Sequence, residues 1–249
     1  MRKDVPDGWS ERDIDALREA CKAEGCPICT LVQGAVQHYI DTWKYEGFSD
    51  VEHRHQLIQS RGFCPLHTWQ LGRGDNAAQL ALVYREVLTD VLEDLDTEAG
   101  KQVPVAGERG EKRGESAWGN FWKKWRSPRP VKPAYEQCPI CRIRAIAEGR
   151  FVGMLVEYLH GEEVRELLCQ STGLCLLHFE QAHNLAEARS PQTLRYLFEC
   201  QRTCMQRVLG EVQELIRKHD YRFLNEQHGE EMTSWRRAAE LCAGNPGVY

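Results

Sequence analysis

Apolar residues recur at spacings of three and four along most of the chain, the pattern of helices that bury one face. Leu80, Val83, Tyr84, Val87, Leu88, Val91 and Leu92 mark one such helix over 77–95, and 192–218 carries another. Two longer helical segments, 28–45 and 140–159, each run into a glycine, Gly47 or Gly161. A second segment then continues to Gly62 or Gly173. Those two glycines fit helix C-terminal stops, and Pro65 fits the first turn of the helix that follows. No stretch alternates cleanly between apolar and polar, so the pattern predicts an all-α protein.

The same pattern occurs twice. Cys26-Pro27-Ile28-Cys29 returns as Cys138-Pro139-Ile140-Cys141, and Gly62-Phe63-Cys64-Pro65-Leu66-His67 returns as Gly173-Leu174-Cys175-Leu176-Leu177-His178. The offset is 112 positions at the first motif and 111 at the second. Leu57-Ile58-Gln59-Ser60-Arg61 aligns with Leu168-Cys169-Gln170-Ser171-Thr172 at the same 111, so the match reaches residues with no ligand chemistry. The chain therefore carries a duplicated unit.

The repeated residues form a ligand set. A Cys-x-x-Cys turn places two sulfurs near one point, and a Cys-x-x-His pair at a helix start can present both side chains to the same point. Cys26, Cys29, Cys64 and His67, and again Cys138, Cys141, Cys175 and His178, make two Cys3His sets, each closed by a helical hairpin. About 17 residues outward at 1.5 Å each span roughly 26 Å, and a return helix plus a few extended residues covers that distance. One ion per repeat is therefore the favoured arrangement, and the runner-up, which spacing alone does not exclude, is an exchanged one in which each Cys-x-x-Cys meets the other repeat's Cys-x-x-His. Zinc, two ions per chain, suits three thiolates and an imidazole with no position left for water. An iron–sulfur cluster is the alternative, since histidine can replace cysteine on iron.

Cysteine usage also sets the compartment. The chain has eleven cysteines among 249 residues, no stretch of about 18 apolar residues, and a start without the apolar core of a signal peptide. These features predict a cytoplasmic protein with no membrane span, holding thiols and not a disulfide framework. Cys21, Cys169, Cys200, Cys204 and Cys242 read as packing residues. Cys200 and Cys204 share a helix face on which a further metal site or a disulfide is conceivable.

The net charge of -5 gives no support to a whole-chain nucleic-acid footprint, which leaves only local basic segments, and the charge is segregated. Residues 97–134 carry nine basic and four acidic residues, +5, leaving about -10 for the rest. Rich in glycine and charge, 97–117 predicts a flexible linker. Trp118, Phe121, Trp122 and Trp125 follow at helical spacing with Lys123, Lys124 and Arg126 between them. Such a helix closes onto the protein's own bundle, docks on a partner, or, least favoured, binds an anionic membrane surface or nucleic acid. The tail offers His219, Tyr221 and Arg222, able to line a small-ligand pocket or to form an ordinary surface. Glu52/His55, Glu157/His160 and Glu180/His183 have the spacing used in di-iron bundles, but no pair is matched between the repeats, so they read as solvated faces.

At its paired motifs and at Lys218-His219-Asp220-Tyr221-Arg222-Phe223, followed by Ser234-Trp235-Arg236-Arg237-Ala238, the chain resembles a bacterial domain-of-unknown-function family. The resemblance covers both repeats and 218–248 and implies helical architecture and metal binding, with no assigned reaction. Leu176 stands where the first repeat has Pro65, and Leu174 where it has Phe63. Together these features predict a first metal-binding repeat at 1–96, a basic aromatic linker at 97–134, a second repeat at 135–217 and a C-terminal helical segment at 218–249. The expected role is a non-catalytic, zinc-stabilised scaffold that binds a protein partner. An iron–sulfur redox protein, and an enzyme or small-ligand binder built on the tail, are the alternatives.

Overall fold

The computed structural model describes residues 9–47, 50–74, 76–102, 138–223 and 225–247, with backbone alone for 97–102. Trp118, Phe121, Trp122 and Trp125 lie outside the described residues, as does most of the expected linker. Among the described residues all regular structure is helical. In chain order the α-helices are α1 (Glu11–Lys22), α2 (Pro27–Thr42), α3 (Val51–Gln59), α4 (Pro65–Gly72), α5 (Ala77–Gln102), α6 (Pro139–Tyr158), α7 (Glu162–Gln170), α8 (Leu176–Arg189), α9 (Pro191–Lys218) and α10 (Ser234–Ala243). A π-turn at Trp43–Gly47 ends α2, and 3-10 turns occupy Tyr221–Phe223 and Glu230–Thr233. Helix α5 runs on to Gln102, and Glu98, Ala99, Lys101 and Gln102 suit a helix while Gly100 does not.

Local sequence explains the helix ends. Ser10 and Asp13 form a reciprocal capping box at α1. Asp50 accepts from the N–H groups of Glu52 and His53 at α3, and Ser190 accepts from Gln192 ahead of Pro191 at α9. Gly62 and Gly173 both have φ of +98°, a left-handed conformation that favours glycine at helix stops.

The chain divides into two compact units, one of residues 1–38 with 143–249, the other of residues 39–142. In the first, Leu17, Ile28, Val32, Met154, Leu155, Leu159, Leu168, Leu174 and Leu197 form a core with essentially no exposure. Helix α10 packs on α8 and α9 in this unit. Lys218 and Glu231, 2.8 Å apart with both side chains largely enclosed, fasten the 3-10 turn before it. The Lys218 ammonium and the Gly229 N–H hold the Glu231 carboxyl down at about 2. Because this folded value lies below the ordinary 4.5, the clamp is fully present above pH 4.5 and fails only as pH falls through about 2. NMR titration of the Glu231 carboxyl should therefore show a midpoint near 2, and Glu231→Gln should loosen the turn at neutral pH.

In the second unit Trp43, Leu57, Leu71, Val83, Val87 and Ile140 are buried, and Trp43 meets Phe63 edge-on at 5.2 Å between ring centroids. The apolar stripe of α5 is wider than this core. Val83 and Val87 face inward, while Leu88 and Leu92 are exposed.

Candidate metal centres

Each motif sits at a helix start, in the same way four times. Cys26, Cys64, Cys138 and Cys175 immediately precede α2, α4, α6 and α8, and the carbonyl of each accepts the first intrahelical hydrogen bond, from Thr30, Thr68, Arg142 and Phe179 at 2.8–3.1 Å. The other ligand stands three residues on: Cys29, His67, Cys141 or His178. One turn of helix thus aims both side chains at one point, beside unpaired N–H groups and the positive end of the helix dipole, which favour thiolate over thiol.

The pairs combine across the repeats. Cys26, Cys29, Cys175 and His178 form one group, and Cys64, His67, Cys138 and Cys141 the other, with the four ligand atoms of each within 4.8 Å of one another. This corrects the favoured local pairing of Cys26 and Cys29 with Cys64 and His67, and realises the exchanged one. Helix lengths give the reason. Helix α2 has 16 residues and α6 has 20, about 24 and 30 Å, whereas the return helices α3 and α7 have nine each, about 14 Å. A return helix alone covers about half of that length, and the residues after it, which the local pairing needs extended, instead turn tightly through Gly62 and Gly173, with the Gly62 N–H bonded back to the Leu57 carbonyl at 2.7 Å. Each group lies within one compact unit, the first in 1–38 with 143–249 and the second in 39–142.

The geometry fits a single tetrahedral ion. In the first group Cys29 and Cys175 sulfurs are 3.8 Å apart, and His178 Nδ1 lies 3.5, 3.4 and 3.2 Å from the sulfurs of Cys26, Cys29 and Cys175. In the second, Cys64 and Cys141 sulfurs are 3.5 Å apart, and His67 Nδ1 lies 3.1, 3.5 and 3.3 Å from Cys64, Cys138 and Cys141. A tetrahedron with metal–sulfur bonds of about 2.3 Å and metal–nitrogen bonds of about 2.0–2.1 Å has edges of about 3.8 Å between sulfurs and about 3.5 Å from sulfur to nitrogen. None of the eight residues is more than 7% exposed, so water has little access.

Charge in the first group gathers on Cys175. Hydrogen bonds from Cys26 and Cys29 drive its thiol far below the ordinary value, while Cys29, donating to Cys175, is raised. Burial pulls His178 down, but its bonds to the Cys175 and Cys26 sulfurs outweigh that and hold it at about 9. In the second group burial raises Cys138 and Cys141. Buried thiols and imidazoles crowded at these distances favour a shared cation.

Residues outside the motifs hold the first group in place. The Asn245 N–H points to the Cys29 sulfur at 3.4 Å, its side-chain oxygen accepts from the Cys26 N–H at 2.9 Å, and its amide reaches Thr30 Oγ1 at 3.3 Å. Gln201 takes both backbone groups of Leu174, at 2.9 and 2.8 Å, and so fixes the residue before Cys175. Thr172 accepts from the Gly25 N–H at 3.1 Å. A lone asparagine near the chain end and a glutamine inside a helix carry no sequence signal for such roles. Asn245→Ala should weaken metal binding at the first group by about 10–100-fold and leave the second unchanged, as competition with a chelator of known affinity would measure.

The remaining cysteines separate. Cys169 and Cys200 form a disulfide, correcting their expected role as packing thiols. Cys21 and Cys204 are buried thiols, and burial pushes Cys21 up to about 12. Cys242 is exposed and does not pack in the core. In the tail, His219 Nδ1 lies 2.8 Å from the Leu215 carbonyl, Tyr221 is 81% exposed, and Arg222 pairs with Asp220 at 2.7 Å. These three line neither the concavity beside Cys21 and Thr172 nor the apolar one formed by Phe179, Phe198, Met205 and Leu209. Of the Glu-x-x-His pairs, His55 bonds Gln59, Glu157 bonds Trp9, and His160 bonds Thr193. Among the described residues, the two Cys3His groups are the only sets of three or more His, Cys, Asp or Glu placed to hold a metal ion.

Compared with known proteins, residues 14–247 match the model of a family of unknown function (DUF6062). No curated protein and no solved structure matches the chain.

Proposed function

The chain belongs to that family of unknown function, and from the geometry of its two Cys3His groups we propose that it is a non-catalytic helical scaffold held together by two structural zinc ions. The observation that carries the reading is the closed shell: three sulfurs and one Nδ1 at tetrahedral edge lengths, all buried, with every position filled by protein. Residues 26, 29, 175 and 178 would hold one ion and residues 64, 67, 138 and 141 the other. Zinc in such a shell supplies folding energy and cross-linking. The single-point geometry favours one ion over an iron–sulfur cluster, whose ligands are shared out among several irons.

The partner surface is read from the first unit. Helix α9 exposes Phe198, Leu209 and Ile216 along one side, next to an apolar concavity of about 290 Å³. Exposed apolar groups on a metal-stiffened helix suit docking of another protein better than catalysis. A cytoplasmic location suits thiolates that must stay reduced, and no helix among the described residues is long and apolar enough to cross a membrane.

Elemental analysis of protein purified without added metal tests the reading. The expected result is a colourless protein with about two zinc ions per chain. A brown protein absorbing near 400 nm, with iron and sulfide, overturns zinc, and a metal-free folded chain overturns the whole reading.

A further inference from the structure

One face of α9 grips the segment that delivers Cys175 and His178 to the first metal group. Cys200 is bonded to Cys169 at the C-terminal end of α7. On the next turns Gln201 holds Leu174, Cys204 donates to the carbonyls of Leu168 and Cys169 at 3.3 and 3.4 Å, and Arg207 reaches the carbonyls of Cys169 and Ser171. Of these links the disulfide alone is covalent, and it closes six residues before Cys175. The first repeat lacks it: Ile58 stands where the second repeat has Cys169, and α5 contains no cysteine.

We propose that Cys169–Cys200 is a reversible redox site that controls how firmly the Cys26/Cys29/Cys175/His178 group retains its ion, and that the other group has no such control. The proposal rests on the metal reading above. A closed disulfide beside a set of thiolates that must remain reduced is a regulatory element more often than a structural one where thiols prevail. Cys169 is half-buried and Cys200 fully buried, so attack falls on the Cys169 sulfur. A dithiol thiolate attacks there, the Cys169–Cys200 bond breaks, and Cys200 leaves and takes up a proton. The second sulfur of the dithiol then displaces Cys169, which is also protonated. Two electrons and two protons pass to the protein, and the dithiol closes to a disulfide. With the bond open, the end of α7 and the loop to Cys175 are held to α9 by hydrogen bonds and by the packing of Leu168 and Leu174 against Leu197, with no covalent tie, and the first ion exchanges faster.

The test uses the full chain and follows transfer of its zinc to a chromogenic chelator before and after treatment with a phosphine, which is oxidised to its oxide as the disulfide opens. The expected result is a gain of two titratable thiols, with one ion per chain leaving about tenfold faster and the other unmoved. Cys169→Ile, which installs the first repeat's residue, should release one ion at the fast rate with no reductant present and gain nothing from it. Two zinc ions per chain that leave at unchanged rates after the thiols appear, or no gain in thiols, overturn this proposal and leave the metal reading standing. A chain that carries no metal at the outset overturns both.

Discussion

Replacing His178 with alanine is expected to strip one ion from the chain and to melt mainly the unit of residues 1–38 and 143–249, with the second ion retained. The substitution leaves three sulfurs around a site that was closed by four protein ligands, and it removes the imidazole whose Nδ1 lies within 3.5 Å of all three. A structural zinc ion contributes on the order of 10 kcal/mol to the fold that binds it, as much as the whole stability of a typical domain. The pairing makes the test sharper. Cys26→Ser combined with His178→Ala should lose one ion, as either change does alone, because both act on one group. Cys26→Ser combined with His67→Ala should lose both. Local pairing within each repeat reverses these two outcomes, so native mass spectrometry of the four variants decides between them, and hydrogen exchange locates the unit that opens.

The ligands themselves were legible in the sequence because the chemistry needs particular residue types at a fixed spacing and the duplication displays them twice. The helical stops at Gly62 and Gly173 were legible for a related reason, since φ of +98° favours glycine. The pairing was not legible. It depends on the nine-residue lengths of α3 and α7 against the 16 and 20 residues of α2 and α6 and on the tight turns after them, and helix ends are the part of a pattern that periodicity fixes least. Nor were Asn245 and Gln201, which act through backbone groups brought near by tertiary packing from 216 and 27 positions away. Cys169 read as an apolar residue because its counterpart is Ile58, and the substitution that marked it as different carried no information about its partner on α9. The amphipathic stripe of α5 placed Val83 and Val87 correctly and overcounted at Leu88 and Leu92, because the stripe is wider than the core it meets.

Gly173→Ala is expected to be the most damaging substitution outside the ligand shell, for two separable reasons. At φ of +98° an alanine is strained whatever the surrounding space, at a cost of about 1–3 kcal/mol. Its Cβ would also stand 2.8 Å from Cys204 Cβ, with Cys204 Sγ and Gln201 Oε1 both at 3.4 Å. A Cβ is fixed to its helix and cannot swing aside, so the loop and α9 must separate, at about 1–3 kcal/mol more. Gly62→Ala has the same φ, but its new Cβ meets the ring of Tyr84 at 2.7 Å, and a ring can turn away if it gives up its hydrogen bond to Thr68. Gly149→Ala is the control, since that glycine lies exposed inside α6 with nothing within 4 Å of the added carbon, and the change should stabilise by about 0.5–1 kcal/mol. Thermal melts of the three variants should therefore rank Gly149→Ala above the parent and Gly173→Ala below Gly62→Ala. The loop that Gly173 turns carries Cys175 and His178, so Gly173→Ala should lose zinc from the first group alone. Loss of stability with both ions still bound would mean that the turn and the metal group are not mechanically linked.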